Sequence, residues 1–168
     1  FEPAALAPNS PLRKLDYDDY RRIVFNPRAA VWLDRNSPFQ LQLFHPGFLH
    51  TNPVKLNLVS EGQATVLPFS TQVFDYHEDL PVFDPVDAGG YAGFRIHYPI
   101  NTPTRHEEFL VFLGASYFRG VGKDQFYGLS ARGLAVNTVG AGDEEFPQFT
   151  EFWIETPAHN ATHIIIHA

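Results

Sequence analysis

The sequence predicts an all-β protein built as an antiparallel β-sandwich, and three observations carry this prediction. Apolar and polar residues alternate in many short segments, which is the period of a strand with one buried face. Residues that favour turns, mainly Gly, Pro, Asn and Asp, separate these segments. No apolar stripe with helical spacing extends over about ten residues or more. Many short alternating strands with turn signals between them are typical of antiparallel sandwiches and barrels.

The beginning of the chain predicts an extended segment followed by one short helix. Three prolines and no periodicity in the first eleven residues indicate an extended lead-in over residues 1–15, before a portion of one β-rich domain over residues 16–168. Asp16 can cap a helical turn over Tyr17–Ile23. Asn26-Pro27 ends that turn, because the residue before a proline disfavours the α region.

The remaining segments are predicted to be strands. Phe39–Leu43 and Val54–Leu58 alternate on either side of turn residues and are expected to form a meander. Seven further alternating segments follow: Phe94–Tyr98, Phe109–Leu113, Ser116–Arg119, Phe126–Leu129, Leu134–Asn137, Thr150–Glu155 and His163–His167.

The last of these segments has no turn after it and no partner evident in the sequence. An apolar strand edge left open invites pairing with another chain. We therefore expect an incomplete portion of a domain, completed by the remaining part of the same protein as a second chain or by self-association.

Composition excludes several classes of protein. At 168 residues the chain corresponds to about one domain, and 44% hydrophobic with 18% charged residues is not the composition of a disordered segment. No apolar run approaches the roughly 20 residues that span a bilayer. The net charge of −7 and the scattered basic residues argue against nucleic acid as a partner. The absence of cysteine excludes disulfides, thiolate catalysis and cysteine-bearing zinc sites.

Two nearby runs, LGASYFR at 113–119 and YGLSARGLA at 127–135, mix aromatic rings, hydroxyls and arginines. Sugars present flat C–H faces ringed by hydroxyls, so their sites combine aromatic platforms with charged and polar hydrogen-bonding groups. On strands, Tyr117 and Arg119 share one face, as do Ser130 and Arg132. The alternative is that the tyrosines pack in the core and the arginines pair with acidic residues. The candidate substrate-binding residues are Tyr117, Arg119, Tyr127, Ser130, Arg132 and Trp153.

Neither the carboxylates nor the histidines form a recognisable reactive site. Asp143, Glu144 and Glu145 read as solvated charge in a glycine-rich loop. Glu151 and Glu155 lie about 13 Å apart on an extended strand, too far for the acid and base of a glycosidase. The histidines lack metal-ligand spacing. We therefore assign no catalytic residue, no metal site and no cofactor.

The two runs, together with Tyr91–Phe94, Tyr98–Asn101 and Glu144–Glu155, resemble the periplasmic glucan biosynthesis proteins G and D, the OpgG/MdoG and OpgD family. The resemblance extends from about Leu15 to the end of the chain. It implies the N-terminal part of a large β-sandwich of the galactose-mutarotase-like supersandwich type, a periplasmic location, and the backbone of β-1,2-linked glucan as partner.

For the complete protein the resemblance implies an activity of the endo-β-1,2-glucanase or transglycosylase type. The family's catalytic aspartates lie in motifs downstream of the matched region, so this segment is expected to form one wall of the cleft and to be inactive alone. The alternative is a non-catalytic carbohydrate-binding or scaffolding module. A cupin-like metal enzyme is a weaker third possibility, which the histidine spacing disfavours.

Overall fold

The computed structural model describes residues 4–114, 117–140 and 142–168, and these residues are mostly β. Two α-helices of four residues each are present among them, α1 (Tyr17–Tyr20) and α2 (Pro85–Ala88). The strands are β1 (Ile23–Phe25), β2 (Gln40–Phe44), β3 (Lys55–Ser60), β4 (Gln63–Val66), β5 (Phe74–Tyr76), β6 (Gly93–Tyr98), β7 (Glu107–Leu113), β8 (Tyr117–Gly120), β9 (Leu129–Arg132), β10 (Glu151–Glu155) and β11 (Ile166–His167). Neither α-helix is long and apolar enough to cross a membrane.

The strands form three sheets. A five-stranded sheet in the order β2-β6-β7-β8-β9 is antiparallel throughout, and β1 and β5 form an antiparallel pair. A four-stranded sheet has the order β11-β10-β3-β4. Its pair β3 and β10 is parallel, which corrects the prediction of a wholly antiparallel arrangement. Parallel neighbours require a long crossover connection, and here the connection contains four strands of the five-stranded sheet.

Side chains from both large sheets meet in one hydrophobic core. Leu41 and Ile96 of the five-stranded sheet and Leu56 and Ile154 of the four-stranded sheet are at most 1% exposed. Phe152 of β10 crosses between the sheets, with its ring edge-to-face to that of Phe94 at a centroid distance of 5.0 Å. The alternation detected in the sequence therefore marks the faces that both sheets turn toward this core.

A second, smaller cluster forms where the chain begins. Leu6, Leu12 and Leu15 are buried with Phe83 and Ala88. The Leu6 backbone N–H donates to the Thr51 carbonyl, and Pro11–Lys14 form a 3₁₀ turn. The described part of the lead-in therefore packs onto the rest of the chain.

The predicted helix cap is confirmed, whereas the predicted length of the helix is wrong. The Asp16 carboxylate accepts from the Asp19 backbone N–H at 2.8 Å, as expected of an N-cap. The helix ends at Tyr20, because Ile23 pairs with Tyr76 as the first residue of β1.

The predicted meander is wrong as well. β2 pairs with β6 in the five-stranded sheet, whereas β3 pairs with β4 and β10 in the four-stranded sheet. Two neighbouring segments with a similar apolar pattern thus belong to different sheets, which share one core.

Three other predicted strands differ from the structure. The segment Phe126–Leu129 is strand only at Leu129, and Leu134–Asn137 contributes one isolated bridge, from Val136 to Glu145. The final strand is reduced to Ile166–His167, and it does have a partner, because Ile166 lies opposite Ile154 of β10. Ser116, predicted to begin a strand, lies outside the described residues.

Candidate functional site

The outward face of the five-stranded sheet carries a row of polar side chains. Buried residues of β2 and β6, among them Leu41 and Ile96, face the core, so the residues between them point to the opposite side. The strand registers align Gln42, Arg95, Val111, Arg119 and Ser130 across all five strands. We call the polar side chains of this alignment and their neighbours on the same face the polar row.

Four of the predicted binding residues share this face. Tyr117 lies directly opposite Arg132, and Arg119 lies opposite Ser130, in the antiparallel pair of β8 and β9. The Tyr117 side chain is 46% exposed, so this tyrosine is not a core residue. The sheet register thus brings together residues that are 11 and 15 positions apart in the sequence.

The other two predicted residues lie elsewhere. Tyr127 is 89% exposed in the turn before β9. Its neighbour Gly128 lies directly against the Arg119 stem, so a Cβ added there would be 2.7 Å from Arg119 Cγ. Trp153 alternates with buried Phe152 and Ile154 and lies next to Asn57 on the outward face of the four-stranded sheet. The structure therefore does not bring Trp153 together with the residues of the polar row.

Glu108 bridges two arginines of the polar row. Its Oε1 accepts from Arg119 Nη2 at 2.7 Å, and its Oε2 accepts from Arg95 Nη1 at 3.3 Å. Arg95 Nε in turn donates to Oε1 of Gln42 at 3.0 Å, and Gln42 is only 5% exposed. A continuous polar chain therefore runs from a buried amide to the half-exposed guanidinium of Arg119 and holds that guanidinium in place.

Sequence reasoning missed Glu108 because of a β-bulge. In the run EEFLVFL of β7, strict alternation would place Glu108 on the same face as the core residues Leu110 and Phe112. The register shifts between Ile96 and His97, so that Glu108 pairs with His97 instead. The bulge reverses the side on which Glu108 lies and carries its carboxylate to the polar row.

Two of the other carboxylates considered in the sequence analysis, Glu144 and Glu151, form ion pairs. Glu144 pairs with Arg132, whose guanidinium lies 4.8 Å from the centre of the Phe146 ring. On the other sheet, hydrogen bonds from Lys55 and Asn57 lower the pKa of Glu151. The alternative in which the arginines pair with acidic residues is thus observed for both Arg119 and Arg132.

The histidines do not form a metal centre within the described residues, where no three His, Asp or Glu side chains converge. His45 is instead enclosed by the rings of Phe69, Phe74, Tyr76 and Phe83 at 5.0–5.9 Å. Its Nδ1 lies 2.6 Å from the Pro46 carbonyl oxygen, and because a carbonyl oxygen can only accept a hydrogen bond, Nδ1 carries the proton. Its Nε2 has no hydrogen-bond partner. Desolvation by this enclosure lowers the pKa of His45 to about 4.

Replacing Glu108 with glutamine is expected to lower the free energy of unfolding by about 1 kcal/mol, because two partly buried guanidinium groups lose their shared charge partner. Urea denaturation monitored by circular dichroism measures the change. The matched control is Asp18→Asn, which removes the mostly exposed ion pair with Arg21 and is expected to change stability by less than about 0.5 kcal/mol. Equal effects of the two substitutions would show that Glu108 does not stabilise the polar row.

Comparison with known proteins identifies similar sequences over the whole chain. Residues 1–168 match the family model described as "Periplasmic glucan biosynthesis protein, MdoG". "Glucans biosynthesis protein G" of Ralstonia nicotianae is 53% identical over 160 residues, covering 94% of this chain and 31% of the relative. The protein of the same name from Rhodopseudomonas palustris is 48% identical over 159 residues, covering 95% and 32%. The chain thus spans about a third of the length of these relatives.

Proposed function

The chain belongs to the MdoG family of periplasmic glucan biosynthesis proteins, and from this premise we propose that its polar row forms one wall of a cleft for β-1,2-linked glucan. The proposed location is the periplasm, after which the family is named. The two sheets that share a core are proposed to belong to a larger β-sandwich of the galactose-mutarotase-like type. The additional length of the relatives would supply the rest of that sandwich.

One observation supports the proposal most directly, namely the convergence of Tyr117, Arg119, Ser130 and Arg132 on one face of the sheet. A tyrosine ring can stack on the C–H face of a pyranose, while guanidinium and hydroxyl groups bond to its hydroxyls. Glu108 orients Arg119, which reduces the entropy lost when the arginine engages a ligand.

The chemistry of this surface favours binding over bond cleavage. Glu108 is engaged by two arginines, and glycoside hydrolysis requires a pair of carboxyl groups facing the scissile bond. We therefore propose that any hydrolysis or transglycosylation of the glucan depends on carboxylates elsewhere in the complete protein. The second candidate function, a non-catalytic carbohydrate-binding module, makes use of the same surface and would show binding without turnover by the complete protein.

Calorimetric titration of the 168-residue chain with linear β-1,2-glucan tests the proposal. Tyr117→Ala and Arg119→Ala are each expected to weaken binding roughly tenfold, because each removes one stacking or charged contact. Tyr17→Ala is the matched control, since this tyrosine is 63% exposed on α1 and its loss is expected to leave the affinity unchanged. Absence of binding by the unmodified chain, or equal affinity of all three variants, would contradict the proposed function.

A further inference from the structure

An open depression of about 680 Å³ lies at the end of the polar row, beside Arg119. Its walls come from the connection between β6 and β7, the connection between β8 and β9, and the strand residues Glu107, Glu108 and Arg119. Volumes of about 300–1,000 Å³ are typical of sites for small organic ligands. The depression is thus large enough for a sugar ring.

Asn101 ties the two connections together at the depression. Its Nδ2 donates to Glu107 Oε2 at 2.6 Å, while its Oδ1 accepts from the Asp124 backbone N–H at 2.7 Å. Asp124 has a φ of 59°, so the turn that presents this N–H is sharply bent. The bond to Asp124 joins the two connections, and the bond to Glu107 fixes the orientation of the Asn101 amide, so the depression is held in shape without a ligand.

The groups that line the depression complement a carbohydrate. Arg105, which pairs with Glu107 at 3.6 Å, and Arg119, which pairs with Glu108, bring charged and polar groups to the lining, and the Phe126 ring is 95% exposed. A phenylalanine almost fully in water makes no contribution to the core, yet its flat face suits the C–H face of a pyranose. Exposed apolar side chains occur singly on most surfaces, so the significance of Phe126 lies in its position at the depression.

Arg119 connects the depression to the polar row. The same side chain lines the depression, bonds to Glu108 and lies opposite Ser130 on the outward face. Tyr117 is two residues away on the same strand and face, a separation of about 6.6 Å. A saccharide chain that stacks on Tyr117 can therefore continue past Arg119 into the depression.

We propose that this depression is a second saccharide subsite, in which Phe126 stacks on one sugar unit while Arg119 contacts that unit and the unit bound at Tyr117. The inference rests on the proposed function, because it extends the same glucan chain along the sheet. It predicts a dependence on ligand length, since only an oligosaccharide that occupies both sites makes contact with Phe126.

Titration of the 168-residue chain with β-1,2-linked gluco-oligosaccharides of two and of six units tests the subsite. Phe126→Ala is expected to weaken binding of the six-unit ligand roughly three- to tenfold and to leave binding of the two-unit ligand at Tyr117 unchanged. Tyr117→Ala is expected to weaken the binding of both ligands. Val82→Ala is the matched control, since Val82 is 99% exposed and does not line the depression.

The outcomes separate the subsite from the proposed function. If the unmodified chain binds the six-unit ligand and Phe126→Ala binds it equally well, the subsite is refuted while the glucan-binding wall stands. An equal loss for both ligand lengths also refutes it, because Phe126 would then belong to the primary site. If the unmodified chain binds neither ligand, the proposed function fails and the subsite with it. Thermal unfolding of each variant confirms that the fold is retained.

Discussion

Replacing Phe152 with alanine is expected to lower the free energy of unfolding by about 4 kcal/mol, a large share of the stability of an ordinary domain. The side chain is 1% exposed, and its ring contacts those of Phe94, Phe112 and Phe149 at 5.0–5.3 Å between centroids. Phe94 and Phe112 lie on the five-stranded sheet and Phe149 on the segment before β10, so the substitution opens a cavity that rigid neighbours cannot close.

Urea denaturation followed by circular dichroism measures this loss. The matched control is Phe126→Ala, which removes the same ring from a position that is 95% exposed and is expected to change stability by less than about 0.5 kcal/mol. A loss below about 1 kcal/mol for Phe152→Ala would show that the surrounding aromatic rings collapse into the vacated space.

Acidification is expected to destabilise the protein through His45 by about 3 kcal/mol between pH 6.5 and pH 4. Burial lowers the pKa of His45 from 6.5 to about 4, so the unfolded chain takes up this proton first as the pH falls. Above pH 6.5 both states hold a neutral imidazole and the group has no effect on stability. Below about pH 4 both states are protonated, so the loss is complete and the contribution becomes constant.

His45→Phe isolates this contribution, because a phenyl ring fills the same aromatic enclosure and does not titrate. Unfolding free energies of both proteins are measured from pH 7 to pH 3.5, and their difference cancels the titration of carboxyl groups common to both. The difference is expected to shift in favour of the variant as the pH falls, with the change confined to the window from 6.5 to about 4. A constant difference across this range would show that His45 is not held neutral by the fold.

Sequence patterns predicted strands well where one face of the segment is buried. Phe94–Tyr98 and Thr150–Glu155 correspond to β6 and β10 within one residue, because Phe94, Ile96, Phe152 and Ile154 face the core. The three-residue strands β1 and β5 were missed, since so short a segment carries too little alternation to stand out from a loop.

The local sequence pattern could not predict which strands pair. The pattern of Val54–Leu58 does not indicate whether this strand pairs with a neighbouring segment or with a distant one. In the structure its partner is distant, since Asn57 bonds to Glu151, 94 residues away. The position of Trp153 on the other sheet follows from that pairing. Glu108 was hidden for a different reason, because a bulge changes which residues share a face without changing the apolar pattern around it.

The parallel pairing of β3 with β10 also makes completion of the four-stranded sheet depend on a contact between distant parts of the chain. Asn57 lies opposite Trp153, 96 residues away, so a long loop must close before β10 can pair with β3. Until then Leu56 and Leu58 can pair only on the β4 side, and the other edge of the strand stays open to foreign chains. The folding protein thus passes through an interval in which this edge of β3 is exposed, and a chaperone that shields β3 during that interval would raise the yield of folded protein.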